Sequence, residues 1–189
     1  ELHTLGVDGG YSQDDVMQLA RCLTGWSVKE HFWLGDFVFK EDQHEPGEKK
    51  VLGLAIQESG QSEAEQVIEH LVLHPSTAKF ICTKLARRFI ADEPPQEIIE
   101  KAAQTFLATK GDIKSVLRVI LFDGLAFAQP NYKRPLNFVL SALRMLNVET
   151  DGVALQDHLS RMGQLAFNLP TPDGYPDRSD AWQGNLMPR

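Results

Sequence analysis

Apolar residues return at i, i+3, i+4 and i+7 along most of this chain, the spacing that gives a helix one apolar face. From Ser12 to about Trp26 the stripe is Val16, Leu19, Ala20 and Leu23. Ser12 and Asp15 have the spacing of a capping box, and Asp14 and Asp15 put negative charge at the positive end of the helix dipole. A second stripe, Ala64, Val67, Ile68, Leu71 and Val72, starts at Ser62 and stops at His74-Pro75. Proline suits the first position of a helix and disfavours helix in the residue before it. One helix is therefore expected to end near Leu73 and the next to begin at Pro75. That next helix, about 75–91, sets Ala78, Ile81, Cys82, Leu85 and Phe89 on one face and Lys84, Arg87 and Arg88 largely on the other.

Beyond Pro94-Pro95, Ile98, Ile99, Ala102, Ala103, Phe106 and Leu107 predict another helix, with Glu97 spaced to pair with Lys101. Gly111 is a C-cap and Asp112 the N-cap of the segment that follows. That segment, 113–122, is apolar nearly all round, the pattern of a helix central in a core. From Pro135, one stripe of Leu136, Val139, Leu140, Leu143 and Leu146 and a second of Phe138, Ala142 and Met145 imply packing on two sides, so 113–122 and 135–147 are expected to form the core. A shorter helix covers about 153–162, and from Gly163 the chain reads as loop.

Residues 27–61 lose the helical period. There Phe32-Trp33-Leu34 and Phe37-Val38-Phe39 flank Gly35-Asp36, the pattern of a short β-hairpin near 32–39 or of a long functional loop. No self-similar spacing of the kind that builds solenoids emerges. The expected fold is mainly α: an irregular orthogonal bundle of about seven helices with an extended C-terminal loop, forming one helical domain or subdomain over 1–189.

Composition sharpens this reading in three places. A 189-residue chain that is 42% hydrophobic can bury a core without metals or disulfides, and Cys22 and Cys82, both on apolar helix faces, read as core thiols, with a disulfide between them as the alternative. No apolar run approaches the roughly 20 residues that span a bilayer, so the chain is expected to be soluble. The net charge of −7 disfavours nucleic acid as a partner. It is unevenly placed, since residues 1–74 hold 5 Lys/Arg against 14 Asp/Glu, leaving 14 against 12 for 75–189. The chain opens at Glu1 without an initiator methionine, so it is expected to be a fragment whose parent supplies further packing surface, and an exported location stays open.

Candidate chemistry lies in a few loops. His3 with Asp8, and His44 with Glu45, are residue types that hold a divalent metal or exchange protons, though no metal-ligand spacing accompanies them. The competing reading makes Asp8-Gly9-Gly10 a turn bonded to its own amides and His44 a solvated or salt-bridged loop residue. His74 is placed to accept a bond from the free amides of the helix after it. Lys84, Arg87 and Arg88 offer a fork for an anion, or pair with acidic neighbours such as the 1–74 region. Tyr175 and Trp182, among Asp173, Asp177 and Asp180, suit an aromatic surface for a carbohydrate partner, or else anchors for an extended tail. No calcium loop, nucleophile elbow, phosphate loop or dinucleotide fingerprint occurs.

Several of these landmarks together are familiar. Glu-Leu-His-Thr-Leu-Gly-Val-Asp-Gly-Gly-Tyr (1–11), Ala-Arg-Cys-Leu-Thr-Gly-Trp (20–26), His44 before Glu-Pro-Gly-Glu-Lys, His-Pro-Ser-Thr-Ala-Lys-Phe (74–80), Lys-Leu-Ala-Arg-Arg-Phe (84–89), Met-Gly-Gln (162–164) and Gly-Tyr-Pro-Asp (174–177) resemble a bacterial family catalogued as domain of unknown function 1800. Where that pattern often has Asp after the histidine, this chain has Glu45. The resemblance implies the C-terminal portion of a longer protein and no settled activity. The functional expectation is a non-catalytic helical binding or interaction module that packs with the remainder of its parent chain and meets an unknown partner. The alternative is a metal-assisted or acid-base enzyme sharing His3, Asp8 and His44 with the missing half.

Overall fold

Helix α1 (Gln13–Leu23) begins where its capping box predicts: the Ser12 N–H and hydroxyl donate to the Asp15 carboxylate, and Ser12 Oγ accepts from the Asp15 N–H. The computed structural model describes residues 2–29, 35–130, 132–169 and 171–183. Among these the protein forms seven α-helices and two small antiparallel hairpins, and it is mainly α. The described residues fall into two compact units, one from His3 to Phe80 and one from Ile81 onward.

In the first unit, α1 is followed by a hairpin of β1 (Trp26–Lys29) and β2 (Asp36–Phe39), with Trp26 opposite Phe39 and Lys29 opposite Asp36. The arm at 36–39 matches the expectation, whereas Phe32-Trp33-Leu34 lies outside the described residues, and the partner strand is 26–29. Gly25 explains the early strand: at φ +83 it turns the backbone sharply off the end of α1. A second, unforeseen hairpin joins β3 (Lys49–Val51) to β4 (Leu54–Ile56). Its two-residue turn places Leu52 and Gly53 at φ +46 and +82, the double left-handed geometry that suits strand twist. Asp15 of α1 anchors that turn by accepting the Leu52 N–H at 2.7 Å.

Helix α2 (Ser62–Val72) gives way to α3 (Pro75–Phe89) at the expected break. His74 Nδ1 accepts the Ser76 N–H at 3.2 Å, satisfying an amide that the new helix leaves free. The core of this unit is Cys22, Val51, Ile56, Ala64 and Val67, with Leu19, Trp26 and Leu71 packed around it.

The second unit contains the later part of α3, then α4 (Gln96–Ala108), α5 (Ile113–Gly124), α6 (Pro135–Leu146) and α7 (Leu155–Arg161). Asp112 caps α5 by accepting the Lys114 and Ser115 N–H groups, as its position predicts. Lys101 pairs with Asp123 at 2.7 Å rather than with Glu97, because α4 and α5 pack side by side. Their contact buries Ile98, Ile99, Ala102 and Phe106 against Val116 and Ile120. Gly124 is needed there, since a Cβ would lie 2.8 Å from Ile90 Cδ1.

The expected core at 113–122 and 135–147 is corrected. Helix α5 buries one face and leaves Leu121 and Phe122 exposed, and α6 buries only Pro135. Cys22 and Cys82 are both free and buried.

Candidate functional site

The densest polar cluster surrounds the end of α1. Arg21 reaches the loop after His44 with three contacts: Nε to Glu45 Oε1 at 2.8 Å, and its terminal nitrogens to the carbonyls of Pro46 and Glu48 at 3.3 Å. Thr24 donates its hydroxyl to the Arg21 carbonyl and accepts the Glu45 N–H at 2.9 Å. His44 therefore sits over the terminus of α1, with Nδ1 2.9 Å from the Thr24 carbonyl. A carbonyl only accepts, so Nδ1 carries a proton.

The other ring nitrogen, Nε2, faces Glu63 Oε1 at 3.2 Å and Lys49 Nζ at 3.4 Å. Either a neutral ring accepts there from Lys49, or an imidazolium donates to Glu63. Lys49 Nζ also bonds Glu63 Oε2 at 2.6 Å and the Glu45 carbonyl at 2.5 Å, and the Ser59 N–H donates to Glu63 Oε1. The Lys49 and Glu63 side chains are 0% and 1% exposed. Burial by itself would raise the Glu63 carboxyl, but hydrogen bonds from Lys49, Ser59 and His44 outweigh it and hold the group below its ordinary value. The result is a sealed, internally satisfied ion pair that ties the end of α1, β3 and the first turn of α2 together. A substrate would have to break it to reach the carboxylate or ammonium.

The predicted metal or acid-base residues separate accordingly. His44 enters the network through its ring, with Nε2 3.2 Å from Glu63 Oε1, and Glu45 turns its side chain outward onto Arg21. His3 and Asp8 occupy an exposed N-terminal turn. Among the described residues no three His, Cys, Asp or Glu side chains are grouped to hold a metal ion, so His3, Asp8 and His44 do not converge as ligands. Lys49, Glu63 and Arg21 escaped the sequence reading. One signal was present: Glu63 lies four residues before Val67 and eight before Leu71, on the apolar stripe of its own helix.

The second unit holds a different polar set, which fastens the C-terminal loop. Asp177 receives Lys84 at 2.9 Å and Arg134 at 2.8 Å. Burial pushes its carboxyl up, and the two cations, by hydrogen bonding and by charge, bring it below the usual range. Asp92 accepts both the N–H and the hydroxyl of Ser179, while Arg178 bridges Glu93 and Asp180. Lys84 thus helps hold the C-terminal loop through Asp177. Arg88 is exposed, and Arg87 keeps a buried Nε without a hydrogen-bond partner among the described residues. Trp182 is 2% exposed and donates to the Pro176 carbonyl, and Tyr175 donates to the Leu165 carbonyl at 2.7 Å. The two rings lie 5.8 Å apart, with Trp182 buried and Tyr175 half-buried.

The remaining distinctive surface is apolar. Phe122 is 76% exposed, Leu125 70% and Met145 81%, with Leu121, Phe138 and Leu146 also open. On α5 and its continuation, Leu121, Phe122 and Leu125 share the face opposite the buried Val116 and Ile120. Phe138 and Met145, seven residues apart, share a face of α6.

The model of the family described as "Protein of unknown function (DUF1800)" matches residues 1–189, and the chain belongs to that family. Neither a curated protein nor a solved structure gives a match.

Proposed function

We propose that this DUF1800 chain is a non-catalytic helical docking module whose α5 and α6 faces are covered by another polypeptide segment, either from the rest of its parent chain or from a separate protein. The observation that carries this reading is the contrast between pattern and burial on α5. A helix apolar nearly all round is normally enclosed, and here Leu121 and Phe122, on the side away from Val116 and Ile120, stay exposed. Single exposed apolar residues are ordinary, but large neighbouring ones on one face mark contact surfaces. Fully burying Phe122, Leu125 and Met145 would contribute on the order of 5 kcal/mol or more. That is enough to hold a segment already tethered nearby, where most of the association cost is removed. The charged groups of the two polar clusters, by contrast, are spent on internal pairing: Lys49 with Glu63, and Lys84 and Arg134 with Asp177.

The test is photo-crosslinking in cells that produce the protein, with p-benzoyl-phenylalanine placed at Phe122, at Met145 and, as a control on exposed α4, at Gln104. Discrete adducts at 122 and 145, absent at 104, are expected. Equal or absent crosslinking at all three sites would overturn the docking role. So would turnover of a substrate by the purified protein that is lost on substituting His44.

A further inference from the structure

Building on the docking reading, we infer that the segment covering α5 is an amphipathic helix that is acidic at one end and apolar at the other. The outward face of α5 has an order along its axis. Lys114, Arg118, Leu121, Phe122 and Leu125 are all exposed and fall at i, i+4, i+7, i+8 and i+11 on one side. Leu125 belongs to this face because its backbone stays right-handed helical just past Gly124. Read from the N-terminus, the face runs basic, basic, apolar, apolar, apolar over about 16 Å.

Among the described residues, neither cation on this face is held in an ion pair at salt-bridge distance, and only Lys114 has an acid, Asp112, beside it. Residues 113–148 contain five Lys/Arg (114, 118, 133, 134 and 144) and one acid, Asp123. That acid lies off the face and pairs with Lys101. Asp112 stands beside Lys114, but its oxygens accept the Lys114 N–H, the Ser115 N–H and the Ser115 hydroxyl. Arg118 has no ion pair with an acid among the described residues, whereas Arg134 is committed to Asp177. A net charge of −7 on the whole chain therefore coexists with a locally basic, partly apolar ridge.

Ridges at i±4 spacing seat in the grooves of another helix, so a helix is the occupant this geometry fits. Its acids would oppose Lys114 and Arg118, and its apolar residues would cover Leu121, Phe122 and Leu125. Complementary charge of this kind sets register and rejects wrong partners more than it adds raw affinity. A bilayer is a poorer fit, because a surface-lying helix needs its apolar residues along the whole immersed side with basic residues flanking them. Here Lys114 and Arg118 interrupt that side at one end.

The test uses three synthetic helical peptides of about 20 residues, long enough to populate helix. They share a leucine stripe and differ in carrying Glu, Gln or Lys over the first two turns. Fluorescence anisotropy against the full chain is expected to rank Glu first, at least tenfold tighter than Lys, with the advantage shrinking several-fold at about 1 M salt. The K114E/R118E double variant, changed only at exposed positions, is expected to reverse the order. No binding by any peptide, equal binding by all three, or an unchanged ranking in K114E/R118E would overturn the acidic-helix inference. So would tighter binding to phosphatidylglycerol vesicles than to the Glu peptide, or self-association that the Glu peptide fails to displace. A crosslink from residue 122 onto a basic segment would overturn the inference while leaving docking intact. Glu-peptide binding unaffected by Phe122→Asp would instead remove the docking face itself.

Discussion

Replacing Lys49 with methionine isolates the buried ion pair of the first unit. The substitution keeps the length of the stem and removes a charge that is 0% exposed and 2.6 Å from Glu63. Glu63 would then be a nearly fully buried carboxylate holding only the Ser59 N–H and His44. Removing one partner of such a pair costs about 3–5 kcal/mol, mostly through the charge left behind. Because two Glu63 partners survive, about 3 kcal/mol is the expected loss. At a urea dependence of about 2 kcal/mol per molar, the midpoint falls by roughly 1.5 M. Since the chain has two units, the readout should be local: amide exchange over residues 49–72 in rising urea, alongside far-UV circular dichroism.

Two controls decide the cause of that loss. K49M/E63Q removes the charge while the glutamine oxygen still accepts from Ser59, so it should cost less than K49M alone, with a coupling of about 1–3 kcal/mol. Acidity provides the second control. Glu63 is held below the ordinary 4.5, so its contribution is complete above that value and is lost as pH falls through the lower folded value. The gap between wild type and K49M should narrow as the medium is acidified, first as the carboxylate left without Lys49 is neutralised in K49M and then, below 4.5, as it is neutralised in wild type. A midpoint shift under about 0.5 M, or a double variant whose cost equals the sum of the singles, would refute the buried-pair account.

Gly25→Ala and Gly35→Ala form a matched pair: both glycines have positive φ, but a Cβ at 25 meets the Lys40 carbonyl at 2.7 Å and Phe39 at 2.8 Å, whereas at 35 it meets none of the described residues within 4 Å. Thermal melting should show Gly35→Ala costing about 1 kcal/mol and Gly25→Ala clearly more; equal costs would contradict the packing. Burial pushes the Cys82 thiol up to about 11 and raises Cys22 as well, so Ellman's reagent at about pH 8 should titrate neither thiol in the native protein and both in urea. Rapid native labelling of either would refute their burial. Asp177→Asn should loosen the tail by about 1 kcal/mol, discounted because the groups are one-fifth to two-fifths exposed. Tryptic cleavage after Arg178 should then accelerate roughly fivefold, and an unchanged rate would show that the aromatic anchors alone hold the loop.

The legible parts of this fold were those governed by local chemistry. Ser12 with Asp15, the Leu73–Pro75 break, His74 on the Ser76 amide and Asp112 as an N-cap depend on residues two or three apart, and all appear as read. The second hairpin was hidden because its turn is Leu52-Gly53, and leucine rarely accepts a left-handed backbone. The polar network was hidden because Lys49 and Glu63 are 14 residues apart and each looks like a surface charge. Misreading α5 and α6 as core had another cause. An apolar pattern reports that a face seeks cover, and it does not say whether the cover is encoded in the same 189 residues. Of the residues flagged for a metal, His44 is engaged through its ring by the Thr24 carbonyl and Glu63, and Glu45 through its carboxylate by Arg21, contacts 19 to 24 residues apart that no local spacing announces.

The histidine that sits on the end of α1 changes what can be removed from this protein. Residues 27–61 look like an ornament inserted between two helices, the sort of stretch trimmed when a domain is shortened. Excising them would take away the ring bonded to the Thr24 carbonyl and the ammonium that neutralises Glu63. Helix α2 would be left with a carboxylate built for an interior that no longer existed. Any shortened version of the domain must therefore keep His44, Lys49 and the strands that carry them, or exchange Glu63 in the same step.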